Sequence, residues 1–276
     1  MQRKGLPVIA IVIALTAGCG SWRQEGGNER GNGRQEGGSK PGAERELLIF
    51  VGAGIRPPVA EIAETFSKEN NVQVVPDYAG SEVLISKIKL AQRGDIYMPG
   101  DKHYVDQAAE TGMILTQKSV CYFVPTILVQ KGNPKGITGL TDLVKPGIKL
   151  GLGDETACAI GRKCKRIFAK NDILWTDVEK NLKFQSMTVN ELGLQIQTKS
   201  LDAVIVWDAV AKYYADHGDE VPIPGDKNVI STVDAGVLKF TRNRELAERF
   251  VELARSQRGR EVFRRHGYRV DPPEQP

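Results

Sequence analysis

The chain has 276 residues and a formal charge of +4 at pH 7, and its basic and acidic side chains are interspersed. Aromatic residues do not alternate with basic ones, which argues against a nucleic-acid-binding protein. Beyond the N-terminal region, no segment approaches the ~20 apolar residues that a membrane-spanning helix needs. The composition therefore favours a globular protein made of one large domain or of two lobes.

Residues 1–18 have the features of a lipoprotein signal peptide. Arg3 and Lys4 form a positive start, and an apolar run at 6–17 follows that is too short to cross a bilayer. The run ends in LTAGC, which resembles a lipobox and predicts lipidation of Cys19. The alternative is an ordinary cleaved signal with an incidental cysteine. Residues 19–45 join this cysteine to a polar, glycine-rich stretch, which predicts a flexible tether.

Residues 46–124 predict the first of two α/β lobes. Apolar runs at 46–51, 72–76 and 95–98 indicate strands. Each run is followed by a stretch in which apolar residues recur at helical spacing. This β-α-β-α-β-α order favours a parallel sheet with helices on its faces.

Residues 125–235 predict a second lobe of the same class. An extended run at 121–130 suits a strand that leaves the first lobe, and another at 231–239 suits the return, so residues 236–276 complete the first lobe. The sequence thus predicts a two-lobed α/β clamshell, each lobe a mostly parallel sheet flanked by helices, joined by two hinge crossings. Further strands are predicted at 149–153, 183–186 and 203–207, and helices at 160–169, 190–198, 209–217, 244–254 and 259–265.

Two strand-to-helix turns of the first lobe consist of small residues, GAG at 52–54 and AGS at 79–81. Small residues expose backbone N–H groups at helix N-termini, where anions bind. Helices that begin near Ile160 and Asn190 offer similar groups in the second lobe. A fully ionised oxyanion can only accept hydrogen bonds, so the pattern predicts an oxyanion held between helix ends.

Several side chains near these turns have two alternative roles each. Arg56 either clamps an anion or is an exposed arginine in the first turn of a helix. Ser81 either contacts the ligand or caps a helix, and Trp207 either lines the pocket as a donor or packs at a strand end. Glu82 and Asp208 suit helix N-termini, but if either faced the cleft, a protonated anion such as phosphate, or an additional cation, would be favoured.

The cysteine and histidine residues predict neither a metal site nor an enzyme. Cys121, Cys158 and Cys164 permit one disulfide in an exported protein without implying it, and the three histidines show no zinc spacing. Cys158 is the only candidate nucleophile, and no histidine is placed to activate it. We therefore expect a binding protein without catalytic residues or cofactor.

Six segments follow one another over residues 46–270: LLIFVGAGIRPPVAEIAETF, VVPDYAGSEVLISKI, RGDIYMPGDKHYVDQAAETGMI, GLGDETACAIGRKCKRIF, DAVIVWDAVAKYY and REVFRRHGYRV. Together, in matching order, they resemble the periplasmic molybdate/tungstate-binding protein family. These proteins are solute receptors of ABC transporters with a type II periplasmic-binding fold. The resemblance implies that the first lobe holds a tetrahedral oxyanion through two serine hydroxyls and backbone N–H groups. It implies that the second lobe adds backbone N–H groups and a tyrosine hydroxyl.

Carried onto this chain, the family pattern retains one of its three side-chain donors. The two serine positions fall on Gly54 and Ser81, and the tyrosine position falls on Trp207. The backbone donors of the second lobe fall on Ala159, Ile160 and Val189. With the residues around the first turn, the expected ligand-binding residues are Ala53, Gly54, Ile55, Arg56, Ser81, Ala159, Ile160, Val189 and Trp207.

The resemblance implies an extracytoplasmic, lipid-anchored solute-binding protein that delivers a small oxyanion to the permease of an ABC transporter. Molybdate or tungstate is the first expectation. The protein would be a monomer attached to the membrane through Cys19. Two alternatives stay open, namely the same fold with phosphate, sulfate or a small organic acid as ligand, and a sensor or adhesin that does not transport.

Overall fold

The computed structural model describes residues 45–273. The predicted signal peptide, the lipidation site at Cys19 and the tether up to residue 44 lie outside the described residues. Within residues 45–273, none of the helices combines the length and the apolar character needed to cross a membrane.

The described residues form ten strands and nine α-helices, with a short 3-10 turn at Ala53–Ile55. The strands are β1 Arg45–Gly52, β2 Val72–Ala79, β3 Ile96–Met98, β4 Ile114–Phe123, β5 Pro125–Gln130, β6 Leu150–Gly153, β7 Leu182–Ser186, β8 Ala203–Trp207, β9 Gly218–Pro222 and β10 Ser231–Leu238. The helices are α1 Arg56–Asn70, α2 Ser81–Ala91, α3 Lys102–Glu110, α4 Ala159–Lys170, α5 Trp175–Asn181, α6 Val189–Gln197, α7 Asp208–Tyr213, α8 Arg244–Arg255 and α9 Gln257–Arg265.

Two five-stranded sheets organise these elements into two lobes. The first sheet has the order β2-β1-β3-β10-β4 and the second has the order β7-β6-β8-β5-β9. In each sheet three neighbouring strands run parallel and the other two pair antiparallel, so both sheets are mixed. The predicted two-lobed α/β fold is confirmed, although the sheets are less uniformly parallel than the sequence suggested.

The central strands are buried because helices cover both sheets. In β1, Leu47, Ile49 and Val51 are fully enclosed, and α1 packs the apolar face that contains Ile62 and Phe66 against this sheet. Such continuous apolar strands are typical of sheets with helices on both faces. In the second lobe, α4, α6 and α7 pack on β6 and β8 in the same way.

The chain passes between the lobes twice, at Val124 and between Pro222 and Ser231. The single extended run predicted at 121–130 is therefore two strands in different sheets. The predicted lobe boundary at 235 falls inside β10, all of which belongs to the first sheet. The edge strand β9 was not predicted because its sequence, GDEVP, has neither an apolar run nor alternation.

Candidate functional site

A small cavity lies between the two lobes, where strand-to-helix turns of both meet. Its volume, measured as space for the centre of a water molecule, is about 20 Å³. One water position takes ~10–15 Å³ in this measure, so the cavity suits a small ion and not a sugar-sized ligand. None of its lining residues has a charged side chain. They are Gly52, Ala53, Gly54, Ala79, Gly80, Ser81, Gly100, Phe123, Cys158, Ala159, Ile160, Thr188, Val189 and Trp207.

The first lobe contributes three turns, which follow β1, β2 and β3. Because these strands are parallel neighbours, their carboxyl ends lie at one edge of the sheet, where open α/β folds bind ligands. Ser81 begins α2 at this edge and is 2% exposed. Its hydroxyl oxygen accepts a hydrogen bond from the N–H of Gly100 at 3.1 Å. The hydroxyl group therefore still has its proton to donate to a ligand.

The second lobe contributes the N-termini of α4 and α6. Cys158 and Thr188 occupy the N-cap positions, and neither side chain caps its helix. The Thr188 hydroxyl donates instead to the Glu191 carboxylate at 3.0 Å. Helix α2 of the first lobe also begins without a capping side chain. Three helices thus begin at the cavity with first-turn N–H groups that no capping side chain occupies, and each carries partial positive charge.

Carbonyl groups of the lining residues already have partners. The Tyr268 hydroxyl donates to the carbonyl oxygen of Gly54 at 2.5 Å, and the Tyr97 hydroxyl donates to that of Ser81 at 2.8 Å. The side-chain amide of Asn190, from the second lobe, donates to the carbonyl oxygen of Ala53 at 3.2 Å. These three acceptors are therefore occupied by donors of the protein itself.

The charged residues near the turns do not line the cavity. Arg56 is exposed, and its guanidinium group lies 4.5 Å from the centroid of the Tyr78 ring. Asp208 is 2% exposed and pairs with Arg269 at 2.8 Å. Glu82 is the second residue of α2 but is not among the lining residues, and its backbone N–H donates across the lobes to Ala157 O at 3.1 Å. The alternatives in which these side chains face the ligand are therefore absent from this closed arrangement.

Trp207 closes one side of the cavity beside Gly54. Its ring stacks on Phe123, with centroids 4.6 Å apart and planes 3° from parallel. A Cβ atom built on Gly54 would lie 3.1 Å from Cδ1 and 3.3 Å from Nε1 of the indole, and 2.9 Å from Cγ1 of Val189. The indole edge thus fills the space that a side chain at residue 54 would need.

The lobes touch through backbone atoms at Gly80. A Cβ atom built there would lie 2.5 Å from Met187 O and would also collide with Ala157 O. Both carbonyls belong to the second lobe. A Cβ at Gly100 would lie 3.3 Å from the Cβ of Ala159 in the second lobe. Glycine at these positions permits the closed arrangement of the lobes.

A buried ion pair joins the lobes next to the cavity. Nζ of Lys163 on α4 lies 2.5 Å from Oδ2 of Asp101, and the side chains are 7% and 8% exposed. Asp101 also caps α3 through the N–H of His103 at 2.8 Å and accepts the Ser231 hydroxyl. Lys163 donates further to Ile230 O at 3.2 Å. Burial lowers the pKa of Lys163, and the Asp101 carboxylate opposes that shift.

Cys158 lines the cavity with a buried thiol. It is 4% exposed, and burial raises its pKa to about 12. The thiolate that a nucleophile requires is therefore scarce at neutral pH. Cys121 and Cys164 are likewise buried and unbridged. Within residues 45–273, no group of three or more potential ligands is placed to hold a metal ion.

Seven of the nine residues expected to bind ligand lie on the cavity: Ala53, Gly54, Ser81, Ala159, Ile160, Val189 and Trp207. Ile55 is enclosed in the first lobe and Arg56 is exposed, and neither lines the cavity. Sequence reasoning missed Phe123, Thr188 and the pair of Asp101 and Lys163. A signal for Lys163 was present, because it lies on the otherwise apolar face of α4 with Ile160, Cys164 and Ile167.

Comparison with known proteins gives the same fold. The molybdate-binding protein ModA of Mycobacterium tuberculosis is 24% identical over 226 residues, which cover 81% of this chain and 84% of that protein. The periplasmic molybdate-binding protein of Azotobacter vinelandii superposes with a TM-score of 0.69 at 15% identity, covering 82% of this chain and 100% of that chain. The sulfate-binding protein SubI of M. tuberculosis gives 0.75 at 17% identity, covering 83% and 88%.

The profile of a bacterial extracellular solute-binding protein family matches residues 47–269. The match spans both lobes and includes every residue that lines the cavity. The similarity to molybdate-binding solute receptors that the sequence predicted is thereby confirmed. The chain belongs to the bacterial extracellular solute-binding protein family.

Proposed function

We propose that this protein captures a small, fully deprotonated tetrahedral oxyanion between its lobes and delivers it to the permease of an ABC transporter. Molybdate and tungstate are the leading ligands. The observation that supports this most is the uncharged cavity, at which three helix N-termini meet while neighbouring carbonyl groups are occupied. Such a site offers donors from both lobes, so that only the closed state completes the set.

The donor set favours an anion without a proton. Molybdate, tungstate and sulfate only accept hydrogen bonds at neutral pH, whereas phosphate carries a proton that needs an acceptor. No carboxylate lines the cavity, because Asp208 is bound to Arg269 and Glu82 lies outside the lining. A proton-bearing anion would therefore leave a buried donor unpaired, which costs about 1–3 kcal/mol.

Sulfate is the second candidate because the cavity is small. A volume of about 20 Å³ for atom centres limits the ligand to a few atoms around one central atom. Citrate and sugar phosphates exceed this limit in the closed arrangement. Molybdate and sulfate have the same charge and shape, so the spacing of the donors decides between them.

The proposal includes attachment to the outer side of a membrane through lipid on Cys19, and action as a monomer that binds without catalysis. The LTAGC sequence supports the anchor. The raised pKa of the Cys158 thiol, to about 12, supports the absence of nucleophilic chemistry. A Cys19→Ala variant should lose incorporation of a fatty-acid probe in cells, and retained incorporation would argue against this anchor.

A thermal-shift panel on the purified protein tests the ligand. Molybdate, tungstate, sulfate, phosphate, chromate and citrate are compared at millimolar concentration, followed by titration calorimetry of those that stabilise. A ligand at ~1,000 times its Kd adds about 4 kcal/mol to the free energy of unfolding. We expect stabilisation by molybdate and tungstate, with sulfate as the next candidate. Stabilisation by phosphate or citrate alone, or by no anion, would overturn the proposal.

A further inference from the structure

The contact between Gly54 and Trp207 joins a residue of the first lobe to one of the second. A Cβ atom at residue 54 would lie 3.1 Å from Cδ1 and 3.3 Å from Nε1 of the indole. Distances of this kind are tighter than ordinary van der Waals contact, so a side chain at residue 54 and the indole edge compete for one volume. The Trp207 ring cannot easily withdraw, because Phe123 stacks on it at 4.6 Å.

The indole nitrogen of Trp207 lies beside Gly54, and both residues line the cavity. No acceptor for this N–H group is found among the described residues, yet the nitrogen is not one of the fully enclosed polar atoms that lack a partner, which are Tyr78 Oη, Tyr104 Oη, Gln107 Oε1 and Ser186 Oγ. Trp207 is only 2% exposed and lines the cavity. The N–H group therefore keeps its small accessible area toward the space where a ligand sits. An indole N–H donates and cannot accept, which suits an oxyanion without a proton.

We infer that Gly54 and Trp207 form one coupled specificity element, in which the missing side chain at residue 54 admits the indole edge and Trp207 supplies the side-chain donor on that side of the ligand. This inference rests on the proposed function and names two residues that set ligand preference together. Substitutions at the two residues should not have independent effects on affinity, because a side chain at residue 54 would occupy the space that the indole edge fills.

The position of the contact predicts which property a substitution alters. Gly54 lies in the first lobe, whereas Val189 and Trp207 lie in the second, so an added side chain opposes closure rather than folding of either lobe. Gly54→Ser should weaken anion binding while the unliganded protein keeps a cooperative thermal transition. Trp207→Phe should retain an aromatic stack on Phe123 but lose the donor.

The test is a double-mutant cycle measured by titration calorimetry with sodium molybdate. Gly54→Ser and Trp207→Phe should each raise the Kd by at least about 10-fold, because the first adds Cβ and Oγ to a volume that is already filled and the second removes a hydrogen bond to a charged ligand. In the double variant the smaller ring removes the contacts of residue 54 with the indole edge, so that only the Val189 methyl group remains close, and the serine hydroxyl replaces the lost donor. Its Kd should be at least about 10-fold lower than the product of the two single effects predicts.

Two control variants distinguish the effect of filling the volume beside residue 54 from the effect of supplying a hydrogen-bond donor. Gly54→Ala/Trp207→Phe restores the filled volume without a donor and should bind no better than Trp207→Phe alone. Gly139→Ser, at a position with nothing within 4 Å, should bind like wild type. If wild type binds no anion of the panel, the proposed function falls and this inference with it. If wild type binds molybdate but the single effects multiply, or Gly54→Ser binds like wild type, the inference alone is overturned.

Discussion

The two lobes share a sheet pattern but present different surfaces to the cavity. Both sheets place three parallel strands beside two antiparallel ones. At the cavity, however, the first lobe presents glycine at 54, 80 and 100. The second lobe presents the side chains of Val189 and Trp207 there, and its Ala157 and Met187 carbonyl groups meet Gly80 beside the cavity. The surface of the first lobe is recessed at these glycines, and groups of the second lobe fill the recess.

This difference shows how a small ion can be enclosed by two lobes of the same construction. Glycine lets the lobes approach until backbone meets backbone, as at Gly80 and Ala157. That approach brings helix N-termini from both lobes to one point, which neither lobe achieves alone. Under the proposed function, ligand capture is linked to closure, because an anion completes its contacts only in the closed state.

The largest effect on anion affinity is expected from a side chain added at Gly80. Gly80→Ala places a Cβ against Ala157 O and Met187 O, backbone atoms that cannot move without shifting the second lobe. The φ of −66° and ψ of 150° at Gly80 are open to any residue, so folding of the first lobe is not strained. Anion affinity measured by calorimetry should fall by more than about 100-fold, or about 2.8 kcal/mol.

The matched control for Gly80→Ala is Gly139→Ala, where no heavy atom lies within 4 Å and the backbone is extended. It should leave affinity unchanged. An affinity of Gly80→Ala within threefold of wild type would show that the lobes do not close through the contact of Gly80 with the Ala157 and Met187 carbonyl groups.

A smaller loss of anion affinity is expected when the ion pair between the lobes is broken. Lys163→Met leaves the Asp101 carboxylate buried without its partner in the closed state, whereas opening returns it to water. Removing one member of a buried pair costs about 3–5 kcal/mol, and relaxation should reduce the effect on affinity to about 10–100-fold. Calorimetry with the anion measures it. The control is Lys165→Met, since Lys165 pairs with Glu155 at 2.5 Å on the surface of the same helix.

Restoring neutrality sharpens that experiment. Asp101→Asn/Lys163→Met should bind the anion better than Lys163→Met, because the uncompensated charge is gone. Equal affinities for Lys163→Met and Lys165→Met would mean that the ion pair does not stabilise the closed state.

The second lobe also supplies the only titratable side chain of the lining, and this predicts a pH dependence. Burial raises the pKa of the Cys158 thiol from 9.0 to about 12. Between these values the unfolded chain has lost a proton that the folded protein keeps, so stability is complete below pH 9 and falls as pH rises toward 12. The contribution of Cys158 is about 1.4 kcal/mol per pH unit in that window.

Urea unfolding between pH 8 and pH 11 tests this sign. The free energy of unfolding should fall more steeply for wild type than for Cys158→Ser, because contributions from the other groups are common to both proteins. Parallel slopes would mean that the thiol reaches water in the folded state.

Local sequence predicted the cavity lining better than the contacts between lobes. The turns around Ala53, Ser81 and Ala159 could be placed because small residues between an apolar strand and an amphipathic helix determine where N–H groups are free. The pairing of Asp101 with Lys163 could not, since it depends on how two lobes meet. The same limit applies to Trp207, whose candidacy came from a resemblance and whose contact with Gly54 required the structure.

Arg56 is where local sequence suggested more than the tertiary structure supports. A cation directly after a glycine turn suits an anion clamp, but Arg56 extends over Tyr78, where an exposed cation–π contact contributes about 0.5–1 kcal/mol. Arg56→Ala should therefore change anion affinity by less than about threefold, measured by calorimetry at 0.15 M salt, where exposed charges beyond ~8 Å are screened. Arg93→Ala is the matched control, an exposed arginine just past the opposite end of α2. A loss above tenfold for Arg56→Ala alone would mean that the neutral donor cage needs a cation from the first lobe, and that the division between a recessed and a filling surface is incomplete.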